Sequence, residues 1–255
     1  MKKLLSLVVT AHRREYLTEA LFSVCAQTHK KFELVLCIDT SIDEGLCRFI
    51  EPLFNIIQCD TKKMIVIKGN GTAGHTRNTA ITSTSGEWIA YLDGDDMLFP
   101  TAIERMMYYM SENKKYSIFS SGMIRIHKNG QIQMLPQSLN YYPPKNIYTR
   151  DPELFEEATF FNSFQLMRRS CWEYYQYDET TNGEDVDFIL HQLLKFRFLK
   201  VPEYLYYYRD VENSFSKEIY KNKNLTSNKY INGYYKQLYE AHKFFLIKDN
   251  FDKND

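Results

Sequence analysis

The chain has 255 residues, 44% of them hydrophobic and 25% charged, enough to enclose the core of one large globular unit or two small ones. Its 32 lysines and arginines balance 32 aspartates and glutamates, so no global field draws it to nucleic acid or an anionic membrane, and an anionic ligand must be held locally. Five cysteines, an odd number with no close pair, argue against a disulfide framework or a zinc site and fit a reducing, cytoplasmic setting.

The opening MKKLLSLVVTA has the basic start and apolar stretch of a short signal peptide, but HRREYLTEA follows with no small-residue cleavage site. A first buried strand is expected there instead. Next comes EYLTEALFSVCAQT, in which Leu17, Ala20, Leu21, Val24 and Cys25 recur at helical spacing, and then the strand run FELVLCID. The runs MIVIKGN and EWIAYLDG bring the count to four short apolar strands of the kind buried on both faces. Crossover helices are expected over residues 74–85 and 100–112, the latter with Pro100 at its first helical position. This β-α-β alternation predicts an α/β fold with a mostly parallel sheet.

From about residue 116 the pattern becomes mixed. YSIFSSGMIRIHKNGQIQML reads as a hairpin turning at Asn129 and Gly130. The polar, proline-containing stretch 136–152 reads as a long surface loop of the kind that covers a site. VDFILHQLLKF follows as a helix, FLKVPEYLYYY as a strand region, and residues 230–247 as an aromatic helical tail. That tail could pack on the domain or lie on a membrane surface as a peripheral contact at its inner face. No repeat or low-complexity linker divides the chain.

Three carboxylates, Asp93, Asp95 and Asp96, stand within four residues at the end of an apolar strand in YLDGDD. Like charges roughly 4 Å apart cost about 4 kcal/mol at an effective dielectric near 20, so a divalent cation is one remedy, and oxygen-only ligation suits Mg2+ or Mn2+. A turn with aspartate caps is the other reading of the same residues. Just upstream, Gly69, Gly71 and Gly74 spell G-x-G-x-x-G, which imitates a dinucleotide fingerprint and makes an NAD(P)-dependent oxidoreductase the alternative enzyme class. Asp39 ends the second strand, where α/β sheets face their ligand crevice, although Ser41 and Asp43 make a turn or cap equally readable. Glu184 and Asp185 precede a helix, either as dipole-stabilising caps or as a general base. No G-x-S-x-G or P-loop stretch occurs. The tyrosines between 204 and 208 read as core or as stacking surface for a base or sugar.

Taken in order, these motifs resemble the inverting family 2 glycosyltransferases of the GT-A fold over about residues 4–216, with an acceptor-side half beginning near 116 and a helical extension over 217–255. SLVVTAHRREYL resembles the family's first strand and loop, which implies that Thr10, Ala11 and Arg13 lie near the nucleotide base; His12 and Arg13 stand where tyrosine and asparagine are usual. CIDTSID resembles a motif with two successive aspartates, of which Asp39 remains to bind the base. NGTAGHTRNTAI implies support of the nucleotide by Arg77 and accounts for the glycines without NAD. GEWIAYLDGDD resembles the D-x-D site, which implies Asp93 near the ribose, Asp95 on the metal and diphosphate, and Asp96 as a supporting metal ligand. NGEDVDF would then supply Asp185 as the base. YYYRDVENSFS resembles the closing tyrosine-arginine-x-histidine motif with Val211 at the histidine position, leaving Asp210, Glu212 or nothing in that role. The resemblance implies a Mn2+- or Mg2+-dependent transferase taking a sugar from a nucleotide-diphosphate donor, UDP-sugar preferred, to a saccharide or glycoconjugate acceptor. A protein that binds sugar nucleotides without transfer is the remaining alternative.

Overall fold

In the computed structural model, residues 5–69, 72–134, 164–180, 184–193 and 195–211 are described, and the expected loop at 136–152 and the tail at 230–247 lie outside them. Strand β1 (Leu5–Ala11) is buried almost throughout and lies between parallel neighbours, β2 (Glu33–Asp39) on one side and β4 (Trp88–Asp93) on the other. β3 (Thr61–Ile67) extends the parallel set beyond β2. The order β3-β2-β1-β4 reverses direction between β1 and β4, and the carboxyl ends of such strands frame a ligand crevice at the point of reversal.

The sheet continues into a mixed half. β8 (Gln165–Arg168) runs antiparallel to β4, β6 (Ile118–Ile126) antiparallel to β8, and β9 (Phe198–Arg209) parallel to β6. The two-residue β5 (Met97–Leu98) closes the far side by pairing antiparallel with β9, and β7 (Ile132–Met134) forms the expected hairpin with β6. Gly130 takes φ +80° in that turn, a conformation glycine adopts without steric cost.

Helices cover both faces because the strand side chains alternate. Leu5, Leu7 and Val9 of β1 face one core, shared with α1 (Leu17–Cys25), α2 (Leu46–Ile56) and α4 (Ala102–Glu112). Val8 faces the other, shared with α3 (Ala73–Thr82), α5 (Arg169–Tyr174) and α6 (Glu184–Leu193). Helix α2 is absent from the expected elements although Leu46, Ile50 and Phe54, spaced four apart, form its buried stripe; Pro52 within it masks the pattern.

Two further expectations need correction. β3 is exposed or half-buried along its length, not buried on both faces, because it is an edge strand with β2 alone beside it. Pro100 lies before the helix: Thr101 is the N-cap and Ala102 the first residue of α4, while the Pro100 carbonyl accepts from the Thr28 amide at 2.8 Å.

Candidate active site

The parallel strands deliver their polar ends to one edge. Thr10 lies opposite Asp93 in the β1–β4 register, and Asp39 ends β2 on the other side of β1. Asp39 is buried at 3% exposure, and its Oδ1 accepts from the backbone amides of Ser41 at 2.9 Å and Gly69 at 3.2 Å. Burial pushes its carboxyl up, but these amides and the Ser41 hydroxyl more than compensate and hold it below the ordinary value. Half-buried His12 and Arg13 follow β1, and Asp39 and Asp93 both act on the His12 ring. Withdrawal from water, and then Arg13, lower the His12 pKa against the pull of those two carboxylates. Ala11 is buried at the strand end, beside the Ile38 of β2.

Asp93 is the meeting point of two elements. Its Oδ1 accepts from the Tyr91 hydroxyl at 2.6 Å and from Arg77 Nη2 at 3.1 Å, and the Tyr91 hydroxyl lies 2.5 Å from that of Thr10. Arg77, expected to support the nucleotide, is 8% exposed on α3. Its second nitrogen, Nη1, donates to Glu184 at the start of α6, and its guanidinium carbon lies 4.7 Å from the Tyr91 ring centre and 5.3 Å from that of Tyr177. Burial opposes the Arg77 charge, but the surrounding acidic groups outweigh it and keep the guanidinium protonated. The arginine thus ties Asp93 to the helix that carries Asp185, while its Nε is buried without a hydrogen-bond partner.

The three clustered aspartates have different surroundings. Asp95 is half-buried; withdrawal from water and the charge of Asp93 push its carboxyl up to about 6. Asp96 is 2% exposed, and its carboxylate is engaged inside the protein, accepting from the Tyr206 hydroxyl at 2.5 Å and the Arg209 amide at 2.7 Å. Burial pushes the Asp96 carboxyl well up, with Asp95 and Asp93 adding to it. Among the described residues, no three His, Cys, Asp or Glu side chains converge to cage a metal ion. Mg2+ and Mn2+ keep waters and bind substrate phosphates, so one or two carboxylates such as Asp95 and Asp93 would suffice to hold such an ion.

Asp93, Arg77 and Asp185 line one pocket with Tyr91, Gln165, Met167, Tyr177 and Tyr206, its apolar wall completed by Ile89, Phe188 and Ile189. Glu184 is buried beside Asp185, its pKa raised by burial against the pull of Arg77. At the closing motif Val211 is buried, and Asp210 Oδ2 lies 3.7 Å from His127 Nδ1; Glu212 lies outside the described residues. Tyr91 and Tyr177 are absent from the expected site. Tyr91 could have been found, because it lies two positions before Asp93 on a strand and shares its face; Tyr177 lies in a loop with no periodic signal.

The glycine fingerprint has internal explanations. A Cβ on Gly69 would lie 2.5 Å from Asp39 Oδ2, and one on Gly74 would lie 1.9 Å from the Asp178 carbonyl oxygen. Gly74 therefore lets α3 meet the loop before α6, where Asn78 donates to the Tyr177 carbonyl at 2.8 Å and to Glu179 Oε1 at 2.9 Å. Gly69 and Gly74 thus have steric reasons within the fold that call for no dinucleotide.

A sheet reversing at β1 with aspartates at its carboxyl edge is the arrangement in which doubly wound α/β proteins hold their ligands. Residues 6–175 match the model described as Glycosyl transferase family 2, and the chain belongs to that family. An uncharacterized glycosyltransferase of Methanocaldococcus jannaschii is 26% identical over 216 residues, 82% of this chain and 71% of that protein. The Escherichia coli UDP-Glc:alpha-D-GlcNAc-diphosphoundecaprenol beta-1,3-glucosyltransferase WfgD is 30% identical over 142 residues, 54% of this chain and 53% of its own length. The crystal structure of S. aureus TarS 1-349 in complex with UDP-GlcNAc shares the fold, with TM-score 0.66 and 21% identity over 84% of this chain and 60% of that one. No helix among the described residues is long and apolar enough to cross a membrane.

Proposed function

We propose that this glycosyltransferase moves a sugar from a nucleotide-diphosphate donor, UDP-sugar preferred, to a hydroxyl of a saccharide or glycoconjugate, with inversion and with the help of Mn2+ or Mg2+. The carrying observation is that Asp93 and Asp185, on separate elements, line one pocket and are connected through Arg77 and Glu184. The UDP-Glc and UDP-GlcNAc named for WfgD and TarS support the donor class, and the lipid-linked saccharide named for WfgD supports the acceptor class.

Asp185 takes the proton from the acceptor hydroxyl, whose oxygen forms a bond to the anomeric carbon from the face opposite the diphosphate. The bond from that carbon to the diphosphate oxygen breaks, and the nucleoside diphosphate leaves with the electron pair. A cation at Asp95 and Asp93 would neutralise charge on the departing diphosphate. Asp39 and the loop at His12 and Arg13 face the base, and Arg77, in the wall of the same pocket, fixes Asp93 relative to Glu184 and the helix that carries Asp185. Tyr91 and Tyr177 keep water from the Arg77 charge, which strengthens both of its ion pairs.

A thermal-shift panel of nucleotide-diphosphate sugars, each with manganese or with EDTA, tests donor and metal together, because a ligand stabilises the state that binds it. The largest rise is expected from a UDP-sugar with manganese. No rise with any donor, or equal rises in EDTA, would overturn the corresponding part of the proposal.

A further inference from the structure

Tyr16 is the sole non-glycine residue with positive φ among the described residues, at φ 66° and ψ −10°. It occupies the N-cap of α1, yet its side chain makes no capping hydrogen bond. Local preference would place asparagine, aspartate, serine or glycine at such a cap, so the helix start does not explain the tyrosine. Backbone strain of this kind persists where the surrounding structure holds it.

The Tyr16 ring meets Arg209, whose guanidinium carbon lies 4.0 Å from the ring centre. Arg209 in turn holds three successive residues of the acidic turn. Its Nε donates to the Asp95 carbonyl at 3.1 Å, its backbone amide to Asp96 at 2.7 Å, and its Nη2 lies 3.6 Å from the Met97 sulfur. One stacked pair therefore connects the loop after β1, on the nucleotide side, to the turn that presents Asp95.

We propose that Tyr16 is a positioning residue: by stacking on Arg209 it fixes the Asp95 turn for the cation and couples that turn to the nucleotide loop. This rests on the donor and metal reading above and adds to it a residue outside the acidic motif. A cation stacked on an aromatic ring contributes an amount that corresponds to about three- to tenfold in an equilibrium constant.

The test is calorimetric titration of UDP into the full chain at several manganese concentrations, for wild type, Tyr16→Phe and Tyr16→Gly, with melting temperatures measured alongside. Glycine removes the ring and relieves the positive φ, so the fold is expected to keep or gain stability. Its manganese requirement for UDP binding is expected to rise about three- to tenfold, while phenylalanine retains most of the wild-type behaviour. A glycine variant with the wild-type manganese requirement would overturn the proposal, as would one whose weaker binding merely follows a loss of melting temperature. Failure of the wild type to bind UDP with manganese would instead remove the donor and metal reading on which it rests.

Discussion

The parallel half of the sheet and the mixed half use their carboxylates in opposite ways. In the parallel half, strands β2 and β4 end in Asp39 and Asp93, placed by the regular geometry of neighbouring strands at one edge. In the mixed half, β9 returns from far along the chain and engages an acidic residue of the first half: Tyr206 and Arg209 occupy the carboxylate of Asp96. Adjacent aspartates thus diverge. Asp95 remains half-buried, and the proposed function gives it the cation, whereas Asp96 is buried and fastens the turn to β9. Strand geometry sets where charge can be offered, and the long-range return decides which charges are free to act.

The sharpest way to break this contrast is Asp95→Asn. Turnover is expected to fall at least about 100-fold, since a charge-stabilising ligand is lost, while the melting temperature of the metal-free protein rises because repulsion with Asp93 is relieved. The same carboxyl sets a pH dependence. Its folded pKa of about 6 lies above the ordinary 3.8, so the folded state takes up a proton between those values and the metal-free fold loses that contribution as pH rises through 6. A cation needs the ionised form, so the melting-temperature increment from manganese with UDP is expected to be full above pH 6 and to shrink below it. An increment that stays constant down to pH 5 would contradict the assignment.

Arg77→Leu tests the connection between the halves. It leaves Glu184 buried without its cation, and unfolding in urea is expected to show a loss of about 3 kcal/mol. Gly74→Ala forces a methyl group onto the Asp178 carbonyl and is expected to cost about 1–3 kcal/mol, read in the same way. At the exposed edge, Val66→Thr on β3 is expected to change stability by less than about 0.5 kcal/mol, because half of that side chain is already in water. A large loss there would mean that β3 is covered in solution.

Much of the parallel half was legible in the sequence. Short apolar runs gave β1, β2 and β4, the stripe through Leu17, Leu21 and Val24 gave α1, and the aspartates at strand ends marked the crevice. The edge position of β3 was not, because an apolar run such as MIVI has the same composition at an edge as in a centre, and only pairing distinguishes them. Helix α2 was hidden by Pro52, whose helix-breaking character outweighs the stripe when sequence alone is read. The distant partners of Arg77 and Asp96 were illegible for a different reason. Each residue depends on partners more than 100 residues away, Glu184 for one, Tyr206 and Arg209 for the other, and no local spacing encodes such a contact.

The central claim is that Asp185 acts on the acceptor while the aspartates of the parallel half hold the donor. Asp185→Asn keeps the shape of the pocket and removes only the base. Once a transferred donor is known, turnover is expected to fall roughly 10²- to 10⁴-fold with donor affinity unchanged. An Asp185→Asn enzyme that transfers at the wild-type rate would contradict the account.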